Sequence, residues 1–428
     1  MKPIKSMYSN MLEENFPETL TIILGEEKLV YEKRSWEIDG QRKGLRYGEN
    51  PDQPAALYRL REGKISVGGI SWRAPEDALV SSISEEGMIQ AGKHPGKTNL
   101  TDVDNGVNIL QYLTEKQACV ILKHNNPCGA AWREAEKGGL FSALSLAYEA
   151  DRIAAFGGAI VVNAPLGRDC AAFISDRYFE VIAAPEYEEG AIELLKKRKN
   201  LRILKLPGLA SLAKLEKSAW LDIRSLTDGG LILQKSFQNR ILNNADFLPA
   251  TACGPDGLEV SARFPTKHEL DDLRFAWAIE AGVTSNSAVF ARDGVTTAIG
   301  TGEQDRVGCI DLAIHKAHIK YADLLAFNEL RLSYYELERK ARDDASMAEK
   351  LADLVQRSRD AQGGLAGSRM VSDGFFPFRD GVDKAISQGI SAIAQPGGSM
   401  RDAEAIMACN EATPQVAMAF TAQRSFRH

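Results

Sequence analysis

Apolar positions recur along this chain with two different spacings. Short, nearly unbroken apolar runs predict strands at residues 20–24, 28–31, 118–122, 159–162, 181–184, 287–292 and 297–300. Spacings of three and four predict helices over 130–150, 169–179, 187–199, 270–282 and 400–409. Residues 45–58 read as a loop feeding a strand, and 124–129 as a loop after the buried run 118–122. The helix predicted over 187–199 opens on Glu188 and Glu189 and closes on Lys196, Lys197, Arg198 and Lys199, the polarity that a helix dipole favours. Strands alternating with helices predict an α/β protein whose sheet is covered on both faces.

The rhythm breaks over residues 239–266, where Pro249, Gly254, Pro255, Gly257 and Pro265 interrupt any period. This predicts an N-terminal subdomain at 1–238 and a C-terminal one at 239–428. Residues 310–362, rich in Ala, Leu, Glu, Lys and Arg, predict two or three helices inserted into the second. The halves echo each other. AAFGG (154–158) and EVIAAP (180–185) in the first match GFFPF (374–378) and SAIAQP (391–396) in the second, each pair followed by a helix. The identities are few, so tandem duplication and the ordinary likeness of strand-loop-helix units both account for them.

At 428 residues the chain exceeds one small domain. Its 44% hydrophobic and 26% charged content is that of a soluble globular protein. With 52 Lys and Arg against 58 Asp and Glu, the net charge of -6 argues against a nucleic-acid partner. No apolar run reaches the ~18 residues of a membrane span, and the first residues lack a secretory apolar core. The six cysteines are scattered with no C-x-x-C pair, which reads as reduced thiols in the cytoplasm.

Candidate chemistry concentrates in loops. Lys123, His124, Asn125 and Asn126 stand at the end of a buried strand, where α/β sheets place their ligands, and offer donors with a base near neutrality. A packed or surface histidine fits the same position. Arg46 and Tyr47 lie in a Gly/Asn/Pro loop; Arg suits bidentate phosphate binding, although exposed Arg-Tyr pairs are common. Thr284 to Ser287 and Gly300 to Arg306 flank strands of the second half, without a P-loop or dinucleotide fingerprint. Phe375, Phe376 and Phe378, bracketed by Asp373 and Asp380, suit either a flat heteroaromatic ligand or a core-packing turn. The stretch 395–399 leads into a helix whose N-terminus suits an anion. Cys128 has no evident activating base and reads as structural. His315 and His318, three apart on a helix, lack a further ligand and read as a solvated face.

In combination these segments closely resemble the AICAR transformylase family. LRYGENPDQ (45–53), KHNNPCGAA (123–131), AFGGAIVVN (155–163), SNSAVFARDG (285–294), IGTGEQDRV (299–307), SDGFFPFRDGVD (372–383), IAQPGGSMRD (393–402) and the closing Arg-x-Phe-Arg-His fall in the family's order. The resemblance implies two tandem cytidine-deaminase-like subdomains, and a homodimer with composite active sites. In most organisms this is one half of a bifunctional protein that also carries IMP cyclohydrolase. Too few residues precede Arg46 for that module, so the expectation is a stand-alone transformylase served by a separate cyclohydrolase. Pro127-Cys128-Gly129-Ala130-Ala131 lacks the second cysteine of the deaminase zinc motif, so no zinc is expected; a structural monovalent cation is compatible.

The implied reaction passes the formyl group of 10-formyltetrahydrofolate to the 5-amino group of the ribotide AICAR. The resemblance makes His124 the base, Lys123 the group near the oxyanion or departing folate nitrogen, and Asn286 the group that orients formyl and amine. Arg46 and Arg424 would hold the ribotide phosphate with Tyr47 beside them. Phe156, Gly157, Glu180, Arg306, Phe375, Asp380 and Phe426 correspond to substrate-pocket positions, Asp380 reading the pterin. Asp52, Ala278, Ala281 and Ser425 depart from the family's usual residues without removing a proposed catalytic group. A ribotide-binding scaffold without turnover, or a transferase using another formyl donor, are the competing readings.

Overall fold

Runs of small and β-branched residues without a polar break become strands buried along their whole length, as at Ala159–Val162, Val181–Ala184, Arg369–Ser372 and Ala392–Gln395. The computed structural model describes residues 14–38, 40–68, 70–73, 79–92, 94–215, 218–254 and 256–428. The chain divides into two units, residues 1–117 with 157–238 and residues 118–156 with 239–428. Residues 118–156, placed with the N-terminal subdomain by the sequence, thus pack with the second unit. The α/β class holds in each.

In the first unit, Ala159–Val162, Val181–Ala184 and Arg202–Lys205 run parallel, and Met88–Gln90 adds an antiparallel edge. The helix Lys97–Leu110 packs against the first of these strands. An N-terminal antiparallel sheet of Thr19–Leu24, Glu27–Arg34 and Leu57–Glu62 closes over Leu29 and Leu60. The helix predicted over 187–199 shortens to Ala191–Leu195, and the successive basic residues from Lys196 to Lys199 that follow it lie exposed.

In the second unit one sheet runs in the order Leu248–Pro249, Ala417–Phe420, Ala392–Gln395, Arg369–Ser372, Ala288–Arg292, Val295–Gly300, Asn126–Arg133 and Gln117–Lys123. Its Arg369, Ala392 and Ala417 strands are parallel, like the three central strands of the first unit. The echoed segments EVIAAP and SAIAQP fall on the middle strand of each parallel set. Phe290, Phe376, Ile310, Met370 and Met418 fill the core between sheet and helices. The predicted helical insert resolves into Arg306–Leu330, Tyr334–Ala341 and Ala345–Asp360, with a small core of its own around Ala326, Leu337 and Leu354. No helix of the described residues is long and apolar enough to cross a membrane.

A further expectation is overturned. Residues 124–133 are neither loop nor helix start: His124 and Asn125 form a two-residue turn, and Asn126–Arg133 returns as a strand. The helix begins only at Gly139. The apolar run Cys128–Trp132 satisfies either period; pairing with Val295–Gly300 decides it. Gly129 is required there, since a Cβ would lie 2.0 Å from the Ala147 carbonyl of the helix Gly139–Ala150.

Candidate active site

Three segments of the second unit converge on the His124–Asn125 turn. Both turn residues have positive φ, 54° and 62°, as a tight hairpin of right-handed twist demands and as Asn tolerates. Asn126 Oδ1 accepts the Thr284 N–H at 2.9 Å and the Thr301 hydroxyl at 3.1 Å. Arg427 donates from Nη1 to the carbonyls of Asn125 (3.0 Å) and Gly282 (2.7 Å), and its own carbonyl accepts the Ser285 N–H at 2.9 Å. The tip is therefore fixed on both sides. His124 is exposed at it, its ring making no hydrogen bond among the described residues. Lys123, half-buried, donates to the Phe156 carbonyl at 2.8 Å, while the Phe156 ring is 63% exposed.

Behind this turn lies a buried charge centre. Arg306 opens the helix Arg306–Leu330 and donates from Nη1 to Asp373 and to the Ser372 hydroxyl (2.8 Å), and from Nη2 to Asn286 Oδ1 (2.7 Å). The Asn286 amide nitrogen is spent on the carbonyls of Glu303 (2.9 Å) and Gln304 (3.0 Å). What Asn286 retains for a ligand is one lone pair of its oxygen. Asp373 also accepts the Ser287 N–H at 3.1 Å. Sequence reasoning passed over Asp373 as a mere bracket of the aromatic run. Asn126 and Arg427 stood inside quoted motifs, but their work as braces follows only from contacts distant in sequence.

The aromatic run divides its labour. Phe376 is fully buried in the core, so the core-packing reading holds for that ring. Phe375 is half-buried beneath the exposed Arg424 guanidinium, 5.1 Å from the ring centroid, and Phe426 lies 5.6 Å from the same group. Gly374 makes this convergence possible: a Cβ there would stand 2.5 Å from Arg306 Nη2 and 2.9 Å from Phe426. Asp380 is exposed at the first position of the helix Asp380–Ser387 and accepts the Gly381 N–H at 2.8 Å. No hydrogen bond of the described residues brings it to the cluster.

The first unit holds a second group. Arg46 is buried, donates to its neighbour's hydroxyl, Tyr47 Oη, at 2.7 Å and stacks 4.5 Å over that ring. Arg202, also buried, donates twice to the His94 carbonyl and lies 3.6 Å from Glu180. Asn99 donates to the same Glu180 oxygen at 3.0 Å. Burial pulls the Arg202 guanidinium below its ordinary value, Glu180 offsetting this and Arg46 adding to it. The Arg46 charge within electrostatic reach of the buried Arg202 makes a place where an anion is welcome. Gly157, at φ 75°, donates its N–H to the Tyr178 carbonyl at 2.9 Å.

Other candidates fare differently. Burial pushes the Cys128 thiol up to about 12, which suits a structural role. In the loop before the helix Asp402–Glu411 the N–H groups of Gly398 (2.7 Å) and Ser399 (3.0 Å) are already taken by the Asp402 carboxylate. His318 pairs with Gln388 at 3.2 Å while His315 is exposed, so the two do not face one ligand. Among the described residues His268, Asp272 and Asp293 lie close enough to hold a metal, but both Asp272 oxygens accept backbone N–H groups, of Asp293 and Gly294.

Comparison with known proteins identifies the family. Residues 5–316 match the family described as "AICARFT/IMPCHase bienzyme". The chain is 33% identical over 388 residues to the bifunctional purine biosynthesis protein PurH of Magnetococcus marinus, covering 90% of this chain and 59% of that protein. It is 34% identical over 390 residues to PurH of Buchnera aphidicola subsp. Schizaphis graminum, covering 91% of this chain and 59% of the relative. To PurH of Xanthomonas axonopodis pv. citri it is 35% identical over 385 residues, 90% of this chain and 58% of the other. The chain thus spans somewhat under three-fifths of the length of these curated relatives. With the family's match running through the Arg46 loop, the Lys123-His124 turn and the Asn286–Arg306 centre, the chain belongs to the AICARFT/IMPCHase family of purine biosynthesis.

Proposed function

We propose that this chain carries the first of the two activities in its family's description, transfer of a formyl group from 10-formyltetrahydrofolate to the 5-amino group of AICAR. The observation that carries this reading is the braced turn of the second unit: an exposed imidazole next to a lysine, tied through Asn126 and Arg427 to the loop that bears Asn286. The acceptor amine is a poor nucleophile, its lone pair drawn into the imidazole ring and carboxamide. It needs a base as it attacks the formyl carbon, and the oxyanion needs a donor. His124 takes the amine proton. Lys123, released from the Phe156 carbonyl, donates to the oxyanion and then supplies the proton that leaves with the folate nitrogen. Collapse breaks the bond from carbon to folate N10 and leaves the formyl group on AICAR. The one free lone pair of Asn286 accepts an amine hydrogen and sets the direction of attack. Phe375 and Phe426, with Arg424 over them, offer an aromatic and cationic edge to a flat or anionic ligand.

The test is a single incubation of the purified protein with AICAR and 10-formyltetrahydrofolate, following tetrahydrofolate release while chromatography separates formyl-AICAR from IMP. Formyl-AICAR is the expected product. No turnover, with AICAR still bound, would overturn the reading in favour of a ribotide-binding scaffold. Conversion of supplied formyl-AICAR to IMP would add ring closure to the chain's activities.

A further inference from the structure

The mechanism leaves the fully buried carboxyl of Glu280 unused. Glu280, the last residue of the helix Lys267–Glu280, has no solvent exposure. One of its oxygens, Oε1, accepts the hydroxyl of Ser287, the residue after Asn286. The other, Oε2, is buried with no hydrogen-bond partner among the described residues. Ser287 is also held from its backbone, its N–H donating to Asp373 at 3.1 Å and its carbonyl accepting from Arg306 at 3.4 Å. Glu280, Ser287, Asp373, Arg306 and Asn286 therefore form one connected set, with Cys309 on the helix Arg306–Leu330 also within electrostatic reach of Glu280.

We propose that Glu280 is a positioning residue for the formyl-transfer site: through Ser287 it fixes the strand end that carries Asn286, and it leaves Arg306 with Asp373 as its one carboxylate partner. This rests on the function proposed above. The charge count gives the reason. Two carboxyl groups and one guanidinium share a dry centre, and two anions cannot both be neutralised by one cation. Asp373 holds the better position, accepting from Arg306 and from the Ser287 N–H. Burial, and then the Asp373 charge, push the Glu280 carboxyl well above the ordinary carboxylate range; the Ser287 bond and Arg306 pull back without reversing this. Cys309 adds no charge, its own thiol being pushed up to about 12 by burial and by these carboxylates. With Glu280 uncharged, Arg306 keeps Nη1 on Asp373 and Nη2 on Asn286. An ionised Glu280 would compete for the guanidinium and release the amide oxygen that the reaction uses.

The proposal is tested with Glu280→Gln and Glu280→Ala by two measurements on the full chain. The first is urea stability from pH 5 to 8, which needs no turnover. A carboxyl whose folded value is raised takes up a proton on folding between its unfolded and folded values, so wild-type stability should fall as pH rises through that window. Glu280→Gln, which carries the uncharged shape permanently, should flatten that slope. The second is the formyl-transfer rate. Glu280→Ala should lower kcat at least tenfold with the AICAR KM moved less than threefold, and Glu280→Gln should restore most of the loss and extend activity to higher pH. An unflattened stability slope in Glu280→Gln would overturn the uncharged carboxyl. An unchanged kcat in a folded Glu280→Ala, or a Gln variant as poor as Ala, would overturn the positioning role. A wild-type protein that releases no tetrahydrofolate would sink the proposed function instead, while the stability slope still reports on the carboxyl.

Discussion

At the scale of single residues, the division is between groups that face a ligand and groups that hold them. In the proposed function His124 and Lys123 are the first kind: neither owes its position to burial, and the turn that carries them is braced from outside by Asn126 and Arg427. Replacing either with Ala should therefore leave the fold intact and remove chemistry. Each is expected to cost ~10²–10⁴-fold in kcat, with little change in the AICAR KM, measured as tetrahydrofolate release. A His124→Ala protein of near-normal rate would end its assignment as base. By residue type alone the Lys-His pair beside Asn-Asn-Pro fits a packed or surface histidine as well as a base, and its role was read from the family resemblance. The same limit holds for Asp380 against Asp373. Both bracket the same aromatic run, and only the buried guanidinium of Arg306 shows which of them is wired into the centre.

At the scale of elements, the chain marks a helix start more clearly than it marks a hairpin. Thr266 caps the helix Lys267–Glu280 and forms a reciprocal box with Glu269, which also takes a two-pronged ion pair from Arg263 at 2.9 Å for each contact. Burial alone would raise the Glu269 carboxyl, but the Arg263 pair and the bonds from Thr266 outweigh it and hold the group at about 2. A folded value below the unfolded one stabilises at neutral pH, on the order of 2–3 kcal/mol here, and that contribution drains away as pH falls from the ordinary glutamate value through 2. Glu269→Gln is expected to lose it at pH 7 and to match wild type near pH 2, while Thr266→Ala should cost about 1 kcal/mol; urea midpoints across that range decide. The hairpin after Lys123 escaped because its second strand is a run of small apolar residues that fits both periods. The clue lay in Asn125 as a turn former and in Gly129, whose missing side chain admits the Ala147 carbonyl.

At the scale of the whole molecule, the α/β class follows from alternation of runs, but the partition into units does not, because it depends on which strands pair. The break at 239–266 is visible in composition, whereas the donation of residues 118–156 to the second unit leaves no mark in sequence. A consequence is testable by cutting. The fragment 239–428 would lack Asn126–Arg133 and Gly139–Ala150, leaving the edge of Val295–Gly300 bare. It is expected to aggregate or to show little fixed structure by circular dichroism and gel filtration; a folded monomer would contradict the second unit as described. The same interleaving also bears on time. The bond from Arg427 to the Asn125 carbonyl spans 302 residues, a separation at which loop closure is slow to be rewarded. A refolding chain should thus regain most of its helical signal while the tip that bears His124 is still unbraced, so the proposed formyl transfer should return after the circular dichroism does.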